Sequence, residues 1–128
     1  MQYEYFYGAQ AEQFSFYRIP KALFTEPNFR ELSTDAKVLY GILLDRMSLS
    51  LKNQWLDAQN KVYIIFTVEE IMDALNCANQ KATRLMVELE KQAGLIERKR
   101  QGLGRPNLIY VKNLAATINV KSCEKGDS

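Results

Sequence analysis

Apolar residues recur at helical spacing in three stretches of the chain. In the first, Ala36, Leu39, Tyr40, Leu43 and Met47 line up as one stripe. Ser33 precedes them as an N-cap, and Asp35 places a negative charge in the first turn, where the helix dipole favours it. A helix over 33–48 is predicted. In the second, Val68, Ile71, Met72 and Leu75 follow Thr67-Val68-Glu69-Glu70, a capping box in which Thr67 and Glu70 satisfy each other's spare backbone N–H groups. Asn76 tolerates the left-handed conformation that ends helices. The third starts a few residues later, capped by Asn79 or its neighbour, buries Ala82, Leu85, Met86, Leu89 and Ala93, and stops at Gly94. Only about four residues separate the second and third helices, the connection length of a helix-turn-helix.

Between and after these helices the pattern becomes β-rich. Val62-Tyr63-Ile64-Ile65-Phe66 predicts a short strand. Leu95–Arg100 and Leu108–Lys112 predict two more, separated by Gln101-Gly102-Leu103-Gly104-Arg105-Pro106-Asn107, an extended hairpin loop. Residues 49–61 hold turn formers, and Trp55 among them is expected to pack over the core. In residues 1–32, Tyr3-Glu4-Tyr5 and Phe14-Ser15-Phe16 alternate with strand period around a turn at Gly8-Ala9-Gln10. Pro20 and Pro27 bracket a short segment with Leu23 and Phe24.

The order helix, strand, helix, tight turn, helix, hairpin predicts an α+β winged helix-turn-helix. It has a three-helix core, the 62–66 strand added to the hairpin, and a C-terminal β-hairpin wing. Three parts follow: an aromatic N-terminal β-arm (1–32), the winged helix (33–114) and a polar tail of disordered composition (115–128). The arm holds nine of the fourteen aromatic residues. A lone hairpin is marginal in water, so its rings need cover from the rest of the domain or from a second subunit. The second subunit is favoured, because exposed aromatics are the usual core of an interface. Tyr3, Tyr5, Tyr7, Phe14, Phe16 and Tyr17 are the candidate dimerisation residues.

Composition narrows the chemistry. At 128 residues the chain is one domain. No apolar run approaches a bilayer span, and the start is not a basic stretch followed by an apolar one, so neither a transmembrane segment nor a secretory signal is expected. Histidine is absent, which removes the commonest general base and metal ligand. Cys77 and Cys123 stand 46 positions apart and read as free thiols of a reducing cytoplasm. No catalytic constellation, metal site or cofactor is expected.

The net charge of +2 says little, but its distribution says more. From Arg98 to Cys123 there are six basic residues and no acid, a local field that attracts phosphate. On a helical wheel for the third helix, Gln80, Arg84 and Lys91 point away from the buried stripe, with Lys81, Thr83 and Val87 beside them. The start of the second helix of a helix-turn-helix enters the major groove, and Gln and Arg read adenine and guanine edges by paired hydrogen bonds. Glu88 and Glu90 fall farther from the groove floor. Arg105 occupies the loop tip, suited to a minor groove or a phosphate. Arg98 and Arg100 lie two apart on one side of their strand, a side expected to meet solvent or polyanion. Lys99 and Asn107, in the same strand and loop, complete the wing candidates. A solvated amphipathic helix, a transcriptional regulator and a protein-interaction module remain alternatives.

Three stretches go beyond a generic winged helix: Phe16-Tyr17-Arg18-Ile19-Pro20-Lys21, Leu32-Ser33-Thr34-Asp35-Ala36-Lys37 and Leu43-Leu44-Asp45-Arg46-Met47-Ser48. With 62–67, Asn79-Gln80-Lys81 and 94–104 they cover about residues 14–114. Together they resemble the N-terminal domain of plasmid replication initiators, the RepA N-terminal type of low-copy plasmids and mobile elements in Gram-positive bacteria. The resemblance implies double-stranded DNA as partner, bound at repeated sites of a replication origin by a homodimer joined through its N-terminal segment. It places Asn79, Gln80, Lys81 and Arg84 on the recognition helix and Arg98, Arg100 and Arg105 on the wing side. Such initiators carry a further C-terminal domain that engages host replication proteins. This sequence stops after a short tail, so origin binding is expected of it rather than initiation by itself.

Overall fold

The Ser33 cap, the Thr67–Glu70 box and the apolar stripes form where the sequence predicts them, whereas the expected cap at Asn79 does not, because Asn79 is already the first residue of its helix. The computed structural model describes residues 2–8 and 14–114. In chain order these hold α1 (Ala22–Thr25), a 3₁₀ turn (Pro27–Phe29), α2 (Thr34–Lys52), α3 (Val68–Leu75), α4 (Asn79–Val87), a π-helical turn that continues it (Glu88–Gln92), β1 (Ile96–Lys99) and β2 (Leu108–Val111). Ser33 caps α2 by accepting the Ala36 N–H at 3.2 Å. Its hydroxyl donates to Glu88 Oε2 and its own N–H to Glu88 Oε1, both at 2.9 Å. One carboxylate thus ties the start of α2 to the end of α4. The helix α2 runs past the predicted end at Ser48 to Lys52, because Leu49–Lys52 contain no glycine or proline to stop it.

Both halves of the capping box are present: Glu70 N–H to Thr67 Oγ1 at 3.1 Å and Thr67 N–H to Glu70 Oε1 at 3.0 Å. The Thr67 backbone bond, helped by Arg46 at 3.1 Å, holds the Glu70 carboxyl below its ordinary range against an opposing push from burial. Thr67→Ala should therefore cost about 1 kcal/mol of stability at neutral pH. Glu70 stays charged to lower pH folded than unfolded, so its stabilisation is full above about pH 4.3 and drains away as pH falls through the folded value. Urea titrations of Thr67→Ala and the parent protein at pH 7 and pH 3 check this. The gap between them should narrow at pH 3.

Asn76 ends α3 at φ +51°, and α4 begins three residues later with Ala78 at the N-cap and no side-chain cap. The two helices pack on α2 around Leu39, Leu43, Ile71, Leu85 and Leu89, all fully buried. Ile96 of β1 and Ile109 of β2 close the core from the wing side.

Strands β1 and β2 pair antiparallel in the register Ile96↔Val111 and Arg98↔Ile109. The predicted third strand contracts to one bridge, with Ile64 and Ile109 exchanging both N–H···O bonds at 2.9 Å. The rest of that run is claimed elsewhere: Val62 bridges Leu56, and the Tyr63 N–H goes to Trp55 O at 3.2 Å. Trp55 does not pack over the core. It is 40% exposed and stacks on Tyr63 at 6.1 Å.

The expected β-arm carries no strand in its described residues. Gly8 turns at φ +69° and Phe6 meets Phe14 edge to face at 6.2 Å, with no ladder among the described residues. A two-stranded ribbon with nothing laid over it lacks the burial that would hold its ladder together. Tyr3, Tyr5, Tyr7, Phe14, Phe16 and Tyr17 all lie exposed. The end of this segment rests against α2 at Gly41, where a Cβ would come within 2.9 Å of Ile19 Cγ1 and 3.0 Å of Arg18 O. Cys77 is half-buried and unbridged; Cys123 and the predicted tail 115–128 lie outside the described residues. Among those residues, no helix is long and apolar enough to cross a membrane.

Candidate nucleic-acid interface

The start of α4 and the wing line one groove. Asn79 of α4, Arg98 of β1 and Arg105, Pro106 and Asn107 of the wing loop face it, over a floor of Phe66, Met86 and Ile109. Elements far apart in sequence thus present their polar groups on a common surface. The hairpin register brings Arg98 opposite Ile109, and the Ile64–Ile109 bridge ties the wing to the segment that leads into α3. Among the described residues no side chain caps the N-terminus of α4, so its first-turn N–H groups and dipole favour an anion there.

Gln80, Thr83 and Arg84 lie outside the groove on the exposed face of α4. Gln80 and Arg84, four apart, share one side of the helix. Lys81 is half-buried, its Nζ 2.6 Å from Asp35 Oδ2. Both partners are about half exposed, so the ion pair is weak and leaves the lysine able to exchange to a phosphate.

One wing expectation needs correction. Arg98 does not project to solvent beside Arg100. Its Nε and a terminal nitrogen donate to Glu90 Oε1 at 2.9 and 2.7 Å, and its backbone N–H to Glu90 Oε2 at 3.3 Å. Strand alternation carried no sign of this partner, which the π-helical turn at Glu88–Gln92 supplies. Lys99 lies on the other side of its strand. Burial along β1 alternates, with Ile96 and Arg98 inward and Glu97 and Lys99 outward, so Lys99 shares the face of Glu97, away from the groove. Among the described residues Arg84, Arg100 and Arg105 hold no ion pair.

The acids were what sequence reasoning missed. Glu88 and Glu90 serve as internal ligands, Asp35 tethers Lys81, and Glu69 lines the groove. Only the helix-dipole role of Asp35 left a trace in the spacing.

Residues 15–125 match the family described as replication initiator protein A (RepA) N-terminus. The chain belongs to this family. A 41 kDa protein of Lactobacillus helveticus is 32% identical over 92 residues, which are 72% of this chain and 26% of that protein. The chain therefore spans about a quarter of that relative's length. Among solved structures, one described as the N-terminal domain of a DNA binding protein is 36% identical with a TM-score of 0.72, over 99% of this chain and 98% of that one. A Rep-DNA complex gives 36% and 0.71 over 98% of each chain. An MDR initiator gives 38% and 0.70 over 98% and 99%. The RepA N-terminal family and these neighbours agree with the winged helix-turn-helix described above, α3 and α4 forming its helix pair and β1–β2 its wing.

Proposed function

We propose that this chain is the DNA-binding N-terminal domain of a replication initiator. It binds double-stranded DNA sequence-specifically, at repeated sites of a plasmid origin, with α4 in the major groove and the wing over the adjacent minor groove. The observation that carries this is the groove in which Asn79, Arg98, Arg105 and Asn107 converge from helix and wing. Further support comes from the solved neighbour described as a Rep-DNA complex. The exposed rings of residues 3–17 suit a homodimer contact. Host replication proteins would be engaged by parts of an initiator beyond this domain, and the site of action is the cytoplasm. No catalytic step is assigned to the chain.

A nuclease footprint of the protein on the DNA of its own element tests the origin assignment: protection of repeats in the origin supports it, and protection over a promoter alone points to a transcriptional regulator. The contacts are separable by kind. Arg84→Ala or Gln80→Ala should reduce discrimination between the site and a scrambled duplex by about 1–3 kcal/mol. Arg105→Ala should weaken all sequences alike and lower the slope of log affinity against log salt by about 1. If Arg84→Ala discriminates as the parent does, α4 is not the reading helix.

A further inference from the structure

The tip of the wing holds out a leucine that the fold does not use. Leu103 is 101% exposed, the most exposed large apolar side chain among the described residues. It stands between Gly102 at φ +120° and Gly104 at φ +78°, backbone that a side chain strains. A Cβ at either glycine would meet nothing within 4 Å, so these glycines serve the shape of the turn rather than packing. The turn is built. Arg105 N–H closes it onto Gly102 O at 3.3 Å, and the Gln101 amide straps its base to Pro106 O at 2.8 Å. A leucine so placed buries nothing and contributes nothing to the fold.

Its surroundings name an occupant. Arg105, two residues on, is exposed, holds no ion pair among the described residues and lines the groove shared with the start of α4. An arginine that meets the phosphates flanking a minor groove, beside an apolar side chain, is the composition of an element that inserts between base steps.

We propose that Leu103 is a minor-groove wedge, which enters a base step when the wing docks, partly unstacks it and bends the duplex. The proposal rests on the DNA-binding function above. Unstacking is easiest at flexible pyrimidine–purine steps, so the wedge also selects such a step where no side chain reads a base edge. Binding and distortion of the DNA are then one event.

The test uses the whole chain and a duplex selected by the parent protein, with 2-aminopurine scanned through the flank beneath the wing and dyes at both ends. The parent should raise 2-aminopurine fluorescence several-fold at one step and shorten the end-to-end distance. Leu103→Ser should keep the parent's melting temperature and salt slope, bind slightly more weakly, and lose the fluorescence rise and most of the bend. Leu103→Met should retain both. A parent complex whose fluorescence and bend survive Leu103→Ser overturns the wedge alone. Survival of both, together with weakened self-association of Leu103→Ser in sedimentation, makes the tip a protein contact and likewise overturns it. Failure of the parent to bind any selected duplex overturns DNA binding, and the wedge with it.

Discussion

Replacing Leu85 by alanine should lower the unfolding free energy by about 3 kcal/mol, within the 2–5 kcal/mol that buried leucines lose on truncation. Leu85 is fully buried on α4 and belongs to the cluster joining α4 to α3 and α2. Alanine leaves a cavity that those helices cannot close without shifting the caps that hold them. For a chain of this size each kcal/mol moves the melting temperature by about 3–5 °C, so the midpoint should fall by about 10 °C. Arg84, one residue earlier, faces outward, and Arg84→Ala should melt like the parent while losing sequence discrimination. This contrast separates the two faces of one helix. A thermal melt of Leu85→Ala that matches the parent's would mean that α4 does not pack as described.

The second large effect concerns the carboxylate that holds the wing. Glu90→Ala should destabilise the domain by about 2–4 kcal/mol, because it strips the partner from a guanidinium only 24% exposed and frees the Arg98 backbone N–H. Burial pushes the Glu90 carboxyl up, but the Arg98 side-chain and backbone bonds outweigh it and hold the group below its ordinary range. The folded form therefore keeps its charge to lower pH than the unfolded chain, and the stabilisation, complete above about pH 4.3, is lost as pH falls through the folded value. Arg98→Ala should lose stability and DNA affinity together, whereas Arg105→Ala should lose affinity alone. A double-mutant cycle between Glu90 and Arg98, read by urea unfolding at pH 7, should give a coupling of about 1–3 kcal/mol. Additive losses would show that the two side chains do not act as a pair.

The elements that proved legible are those whose signals are local. The Ser33 cap, the Thr67–Glu70 box and the Asn76 stop each involve residues within one turn of each other, and all three stand as the spacing predicts. The stripe Ala82, Leu85, Met86, Leu89 was equally readable, because helical period and burial are the same fact seen twice. Of the candidate site, the exposed face of α4 was legible for that reason: Gln80, Thr83 and Arg84 are simply what the stripe leaves outside. The wing was legible as a hairpin but not in its electrostatics. Arg98 and Arg100 look alike in sequence, and only the first finds a carboxylate eight residues back, across a π-helical turn that no periodicity announced. Likewise, Val62–Phe66 has the composition of a strand, yet most of its pairing is taken by the neighbouring 55–56 segment.

What the chain's own spacing determined, then, is the helix-turn-helix pair, the hairpin behind it and the basic character of the last third, because each depends on residues close in sequence or on summed charge. What only the tertiary structure decided is which cations face outward, that α4 and the wing share a groove, and that Glu88 and Glu90 are internal ligands rather than surface charges. Those outcomes depend on contacts between residues up to 55 positions apart, and such pairings exist only once the core has set the distances between elements.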